Sequence, residues 1–424
     1  MLTKQSQMHV KENNLRLVLA TAISHEPLSR ADIVRFTHIS KPAISSLIDD
    51  LLKRGIISEI GEGRSSGGRK PILLRFNSDL RYYLAFEMGR TGYRIAVSDL
   101  KGRFVGHREG VFENASSMID RLAVMKDTIF TVMDENKIAE KDLLKIICIA
   151  PCVYVEKGKA LKWAPSHQET ADQDPSVFFG DVFKRDVLMH HSTKLSLLGE
   201  KIAGKAVGYD TVVYIDFAYG LGSAIMIDGK IYCGSQASAG EIGYLYSSLD
   251  EFKKCSVKPY QLGCLENRIS GKSLQDRAAD TIGRGRPGRF PELIAGESGR
   301  LSGNVVFDGY RMGDLDANKI LTEAFSYFNM ALCNIINLLA PELVILGGGF
   351  SRAGDMLKDL IMREVQDRVL VMPRVEVSEL KNEASLIGGV HYLIDHTDLL
   401  AELQLRQIEG KCGWKESRIY GTRK

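Results

Sequence analysis

Cysteine is scarce in this chain and badly placed for a covalent framework. The seven cysteines, at 148, 152, 233, 255, 264, 333 and 412, are odd in number, scattered, and include no Cys-x-x-Cys pair. They read as reduced thiols, which excludes a disulfide-stapled scaffold. Long apolar runs are missing too. None approaches the roughly 20 residues of a membrane helix, and the N-terminus has no signal-peptide core. The expectation is a cytoplasmic protein with no membrane partner. Of 424 residues, 44% are hydrophobic and 26% charged, which excludes a disordered chain or a fibrous repeat. That length suggests two or three domains with ample core.

Net charge is low, +3, but unevenly spread. Residues 1–78 hold twelve Lys/Arg against seven Asp/Glu, or +5, which leaves −2 for the rest. A basic head on a slightly acidic body fits nucleic-acid contact confined to the head. The head also carries a pattern. Ser29 and Asp32 have capping-box spacing and open a helix through about Thr37. His38, Ile39 and Ser40 form the turn, and Ser40 is expected to cap a second helix with Pro42 in its first turn. There Ile44, Leu47, Ile48, Leu51 and Leu52 share one face, while Lys41, Pro42, Ser45, Ser46 and Asp49 share the other. Gly55 ends the helix. Strand-like runs at 56–60 and 71–76 flank a glycine- and serine-rich loop whose Arg64, Arg69 and Lys70 suit phosphates or a minor groove. The sum is a winged helix-turn-helix, with a protein-docking module as the competing reading.

An earlier helix is expected over 13–24, with residues 1–12 frayed. Beyond the polar junction 77–79 the composition turns to β-rich alternation. Strands are predicted at 82–87, 94–100 and 103–111, a helix at 116–135, and a wholly apolar buried strand at 144–150. The same order, β-β-β-α-β, recurs with strands at 212–217, 224–227 and 230–233, a helix at 316–339 and a strand at 343–346. A duplicated unit implies two similar lobes around a ligand cleft.

Several stretches make the pattern specific: Gly67-Gly68-Arg69-Lys70-Pro71, LAFEMGRTGYRIAVSDLKG at 84–102, YGLGSAIMIDGKIYCGSQASAGEIGY at 219–244, GCLE at 263–266 and APELVILGGG at 340–349. With them the chain resembles, over nearly its whole length, transcriptional regulators of the ROK family (repressor, open reading frame, kinase). The resemblance implies an α/β protein: an N-terminal winged helix-turn-helix followed by a two-lobed actin/hexokinase-like (ribonuclease H-like) body. In the family's kinases the cleft binds ATP and a sugar; in its regulators a sugar alters DNA affinity.

Kinase chemistry needs glycine turns around phosphates and a carboxylate base near the sugar hydroxyl. Where the family has Asp-x-Gly-Gly-Thr this chain has Glu87-Met88-Gly89-Arg90-Thr91, and Arg90 obstructs the close approach a glycine allows. Where the family has Glu-Asn-Asp-Ala-Asn it has His190-His191-Ser192-Thr193-Lys194, so Ser192 replaces the base. His190 or His191 as a substitute base is the weaker alternative, and no catalytic residue is expected. The family's zinc ligands are mostly lost: Tyr244 stands for the histidine, and only Cys264 survives of three cysteines, with Cys255 out of register. Tetrahedral zinc needs four ligands. No metal and no cofactor are therefore expected, and the loop is expected to be held by Tyr244, Tyr246, Phe252 and Tyr260.

The resemblance assigns Glu241 and Glu266 to sugar hydroxyls, with His191, Ser192 and Tyr244 completing the effector pocket; Trp163 and His167 are more remote candidates. The expected layout is a DNA-binding head at 1–78, a first lobe at 79–200 completed by a helix near 385–405, a second lobe at 201–384 and a tail at 406–424. The expected partners are double-stranded operator DNA, a sugar effector and a second copy, as homodimer or homotetramer. The alternatives are an active sugar kinase with a DNA-binding head, and an effector-independent scaffold governed by a protein partner.

Overall fold

The computed structural model describes the chain except residues 1–3, 65–69, 113–116, 152, 156–160, 164–173, 236, 255–261, 284–292, 294–302 and 406–424. It divides into two compact units. The first comprises 1–81, 99–101 and 394–424, and the second 82–98 and 102–393.

The first unit begins with α1 (Lys4–His25), longer than expected, because its helix runs back through the polar residues read as frayed. Strand β1 (Leu28–Ser29) then leads into α2 (Arg30–Thr37). The capping box is present: Ser29 Oγ accepts from the Asp32 amide and Asp32 accepts from the Ser29 amide. His38 takes the left-handed conformation (φ 58°), which turns the chain toward α3 (Lys41–Lys53). Ser40 sits at the N-cap with extended backbone, but its side chain makes no capping hydrogen bond. Pro42 lowers that need, since its nitrogen carries no N–H. Ile44, Leu47, Ile48 and Leu51 of α3 are buried, each contributing roughly 2 kcal/mol by burial. Strands β2 (Ile57–Glu62) and β3 (Ile72–Phe76) form the hairpin, and β1 joins β3 as a third strand. Glu26 binds this sheet to the turn at 99–101: one oxygen accepts from the Phe76 amide at 2.7 Å, the other from Lys101 Nζ at 2.6 Å.

The second unit holds two five-stranded sheets of the same design. The first contains β4 (Tyr82–Met88), β5 (Gly92–Asp99), β6 (Phe104–Val111), β7 (Leu143–Ala150) and, beyond a small hairpin of β8 (Val153–Val155) and β9 (Leu161–Trp163), β10 (Val187–His191). Its order is β6-β5-β4-β7-β10. The other contains β11 (Val212–Phe217), β12 (Leu221–Ile227), β13 (Lys230–Tyr232), β14 (Leu343–Gly348) and β15 (Arg374–Val377), in the order β13-β12-β11-β14-β15. In both, a three-strand meander is extended by two parallel strands. Parallel strands need covered faces, hence the apolar runs. Helix α4 (Met118–Glu135) covers the first sheet with Leu122, Met125, Ile129 and Val132, and α5 (Pro175–Phe183) adds Phe179 and Phe183. Helix Leu315–Leu339 covers the other with Leu321, Phe325, Phe328 and Leu332. Helix α6 (Ser192–Ala203) starts directly at the end of β10 and packs on β11 and β12, so the end of one sheet delivers a helix to the other. Its crossing with helix Ala384–Asp395 is close: a Cβ on Gly199 would lie 2.0 Å from the Ala384 carbonyl oxygen.

Candidate functional site

The polar face of α3 is open. Lys41, Pro42, Ser45, Ser46 and Asp49 are exposed, while the opposite face is core. Asp49 would repel phosphate, but Arg30 NH2 donates to it at 2.8 Å, which offsets the charge. On the wing Arg64 and Lys70 are exposed, and Lys70 pairs with Glu62 at 3.2 Å. Arg69 lies outside the described residues. An exposed polar helix face beside a cationic hairpin has the form needed for major-groove entry with backbone contacts at the flank.

In the second unit the sites foreseen on three separate segments, 191–192, 241–244 and 266, come together near where β10 ends and α6 begins. His191 is the N-cap of α6, and its Nδ1 accepts from the Thr193 amide at 3.2 Å. Its proton is thereby assigned to Nε2, which lies 3.7 Å from Glu241 Oε1. Burial, helped by Lys194 and His190, pushes the His191 pKa down to about 3, so the ring is neutral. Glu241 precedes the 3-10 turn Ile242–Tyr244, and burial raises its pKa, with Lys194 opposing and Glu266 adding. Ser192 is buried beside His191, and Tyr244 is half-buried at the end of the turn. Glu266 accepts from the Leu221 amide at 3.0 Å and the Gly263 amide at 3.2 Å. Burial still raises its pKa against these two amides. Each of its oxygens therefore has a backbone partner and a spare lone pair. His190 packs on Tyr392 (4.8 Å between ring centroids), away from this group. Trp163's side chain and His167 lie outside the described residues.

Three residues of the cleft escaped sequence reading. Lys194, 3% exposed, donates from Nζ to the Ala237 carbonyl. Asp216, on β11, accepts from Thr193 Oγ1 at 3.4 Å, and its pKa is pushed up to about 6 by burial, with Glu87 adding and Arg94 and Thr193 opposing. A lone acid in the apolar run VVYIDF was the available signal. Arg94 NH1 donates to Glu87 Oε2 and to the Asn382 carbonyl, both at 2.9 Å, and Ser385 Oγ donates to the same Glu87 oxygen at 2.5 Å. Arg90 lies over the Tyr219 ring, 4.3 Å from its centroid. Its guanidinium thus spans the two turns, Gly89–Gly92 and 218–221, that face each other from the two sheets.

Of the segment that replaces the family's zinc loop, the residues around 244–254 are described. Cys255 and Tyr260 lie outside the described residues. Tyr246 and Phe252 meet edge to face (5.4 Å) but are exposed, 40% and 65%. Beside them Glu251 accepts from the Ser247 amide and hydroxyl and pairs with Arg268 at 2.7 Å, and Arg268 lies over Tyr327. Among the described residues no group of three His, Cys, Asp or Glu side chains is placed to hold a metal ion, and no helix is long and apolar enough to cross a membrane.

A winged head and a duplicated two-sheet body define the class of protein, and comparison with known proteins agrees. The ROK family model matches residues 83–395, and the chain belongs to that family. A MarR family model matches residues 13–65. The chain is 25% identical over 402 residues to the xylose repressor of Bacillus subtilis (strain 168), covering 92% of this chain and 97% of that one. It is 20% identical over 375 residues to the DNA-binding transcriptional dual regulator NagC of Escherichia coli (strain K12), covering 88% and 89%. Among solved structures, a ROK family transcriptional regulator, homologue of the E. coli MLC protein, has a TM-score of 0.69 at 20% identity and covers 93% of this chain and 100% of its own. A ROK family glucokinase from Streptomyces griseus, in complex with glucose and AMPPNP, has a TM-score of 0.60 at 20% identity, covering 73% and 98%. The fold is thus a winged helix-turn-helix joined to an actin/hexokinase-like body.

Proposed function

We propose that this chain is a DNA-binding repressor of carbohydrate genes whose body has lost phosphoryl transfer and keeps a sugar site. One observation carries the reading: the exposed polar face of α3 sits in the same chain as a kinase-like cleft with Ser192 where the base belongs. A serine takes no proton without a base of its own, and the neighbouring His191 is spent on the Thr193 amide. Arg90 over Tyr219 occupies the space between the turns where phosphates would lie. The sugar is held by Glu241 and Glu266 as acceptors, with His191 Nε2, Ser192 and Tyr244 around it.

The protein acts in the cytoplasm as a homodimer or homotetramer on double-stranded operator DNA. A single recognition helix reads only a few base pairs, so two heads on a symmetric assembly suit a palindrome. No zinc and no other cofactor is required. The test is operator affinity, by fluorescence anisotropy on DNA flanking the gene, with and without a panel of sugars. A sugar should change affinity by about 5- to 150-fold, and Glu241→Ala should abolish that change while leaving sugar-free binding intact. Absence of specific DNA binding, or sugar-dependent ATP hydrolysis, would overturn the reading.

A further inference from the structure

Lys194 is an ammonium buried inside the site rather than at its rim. It lies three residues after His191, so both project from the same face of the first turn of α6. Its Nζ donates to the carbonyl of Ala237, a residue in the left-handed region (φ 58°) of the loop leading to Glu241. The far end of that loop is fixed by Ser223 Oγ, which donates to the Gly240 carbonyl at 2.6 Å. A lysine offers three N–H donors, and one carbonyl uses one of them. Among the described residues no carboxylate lies within 4.0 Å of Nζ. Burial lowers the Lys194 pKa, with Cys233 and then Glu241 opposing, and burial raises that of Glu241, with Lys194 opposing, so the amine and the acid feel each other's charge.

The buried ammonium spends one N–H on Ala237 and keeps two donors, three residues after His191, whose Nε2 lies 3.7 Å from the Glu241 carboxylate. A sugar hydroxyl suits both groups, because it accepts from an ammonium while donating to a carboxylate. Water and aliphatic groups satisfy the pair less well, the first being mobile and the second having no polar atom. An acidic group fits worse, since Lys194 is the one fully buried Lys or Arg among the described residues and two carboxylates, Glu241 and Glu266, lie in the same site.

We propose that Lys194 is a ligand-binding residue of this site: its ammonium and the Glu241 carboxylate hold one hydroxyl of a neutral, unphosphorylated sugar between them. The inference rests on the reading of the cleft as a sugar site and adds the ligand's charge class and the group that recognises one hydroxyl.

The test is calorimetric titration of the full-length protein with D-xylose, D-glucose and N-acetyl-D-glucosamine, with their uronate or phosphate counterparts, and then with monodeoxy analogues of the sugar that binds. Lys194→Met should weaken that sugar by about 10- to 100-fold, the range for a hydrogen bond to a charged group. Removal of the bridged hydroxyl should cost the wild type a similar factor and cost Lys194→Met nothing further. A merely structural lysine gives no such non-additivity. Lys194→Gln, which keeps a donor for the Ala237 carbonyl, should show the same pattern if the methionine variant does not fold. Losses that add at every hydroxyl, unchanged affinity in both variants, or tighter binding of an acidic counterpart would overturn the inference. Silence of the wild type across the whole panel would instead overturn the sugar-site reading beneath it.

Discussion

Glu87 and Asp216 hold equivalent places in the two sheets and have been treated differently by the rest of the chain. Glu87 pairs in register with Ile149 of β7, and Asp216 with Gly347 of β14. In one sheet the acid is neutralised from inside by Arg94 and Ser385. In the other, Thr193 Oγ1 donates to the acid, which keeps its proton up to about pH 6. Next to the acids, the first sheet has Ile149 and Ala150, whose side chains fill core, whereas the second has glycines. A Cβ on Gly347 would lie 2.0 Å from the Tyr214 hydroxyl, and one on Gly348 2.4 Å from Asp216 Oδ1. A duplicated fold preserves the frame of its two halves, and what each can hold is set by these local replacements: in the first, Arg94 donates to the acid itself.

The largest effect expected from breaking this comparison is at Gly348. It combines φ 73° with a Cβ position 2.4 Å from both Asp216 Oδ1 and the Phe217 carbonyl oxygen. Gly348→Ala should cost about 3 kcal/mol of stability by urea unfolding, from backbone strain plus overpacking. Conversely, Ala150→Gly in the first sheet should cost only about 1 kcal/mol, through lost burial and chain entropy.

Arg94→Met comes next. It leaves the Glu87 carboxylate, in a side chain 11% exposed, with Ser385 as its remaining partner of the two, at a cost of about 2 kcal/mol. Adding Glu87→Gln should recover most of that loss, because the uncompensated charge is gone. Full additivity of the two changes would show that the pair is not coupled.

The pH dependence separates the second acid from its histidine neighbour. Asp216 is raised from 3.8 to about 6, so the native state retains a proton that the unfolded chain releases between about pH 4 and 6. Stability from this group falls as pH rises through that window. His191 is lowered from 6.5 to about 3, so the unfolded chain takes up a proton that the native state refuses, and stability from this group rises with pH over the same range. The two slopes oppose each other. Asp216→Asn should make stability rise more steeply from pH 4 to 6, by up to about 1.4 kcal/mol per pH unit. His191→Gln should do the reverse, measured by urea midpoints across that range.

The smallest changes belong to the head, where no comparable burial is at stake. Arg64→Ala should weaken operator and non-operator DNA alike and lower the salt slope by about one unit. Ser45→Ala should mainly erode sequence preference. Both are read by anisotropy titrations at several salt concentrations, and equal, salt-independent losses at both positions would argue against a wing on the phosphates and a helix in the groove.

Local features of this protein were determined by its sequence alone. The Ser29–Asp32 box, the two faces of α3, the glycine that follows it and the repeated β-β-β-α-β order all depend on periodicity and on residues within one turn of each other. The absence of an acid at 192 was equally plain, because it is a statement about composition at one place. Tertiary structure decided what long separations bring together. Ser385 reaches Glu87 across 298 residues, Lys194 reaches Ala237 across 43, and Thr193 reaches Asp216 across 23. It also brought Glu251 to Arg268 across 17 residues, an ion pair that no local pattern announces. A hydrogen bond between distant segments leaves no period in the chain. It exists only once packed sheets and helices have excluded water and left two polar groups no other partner.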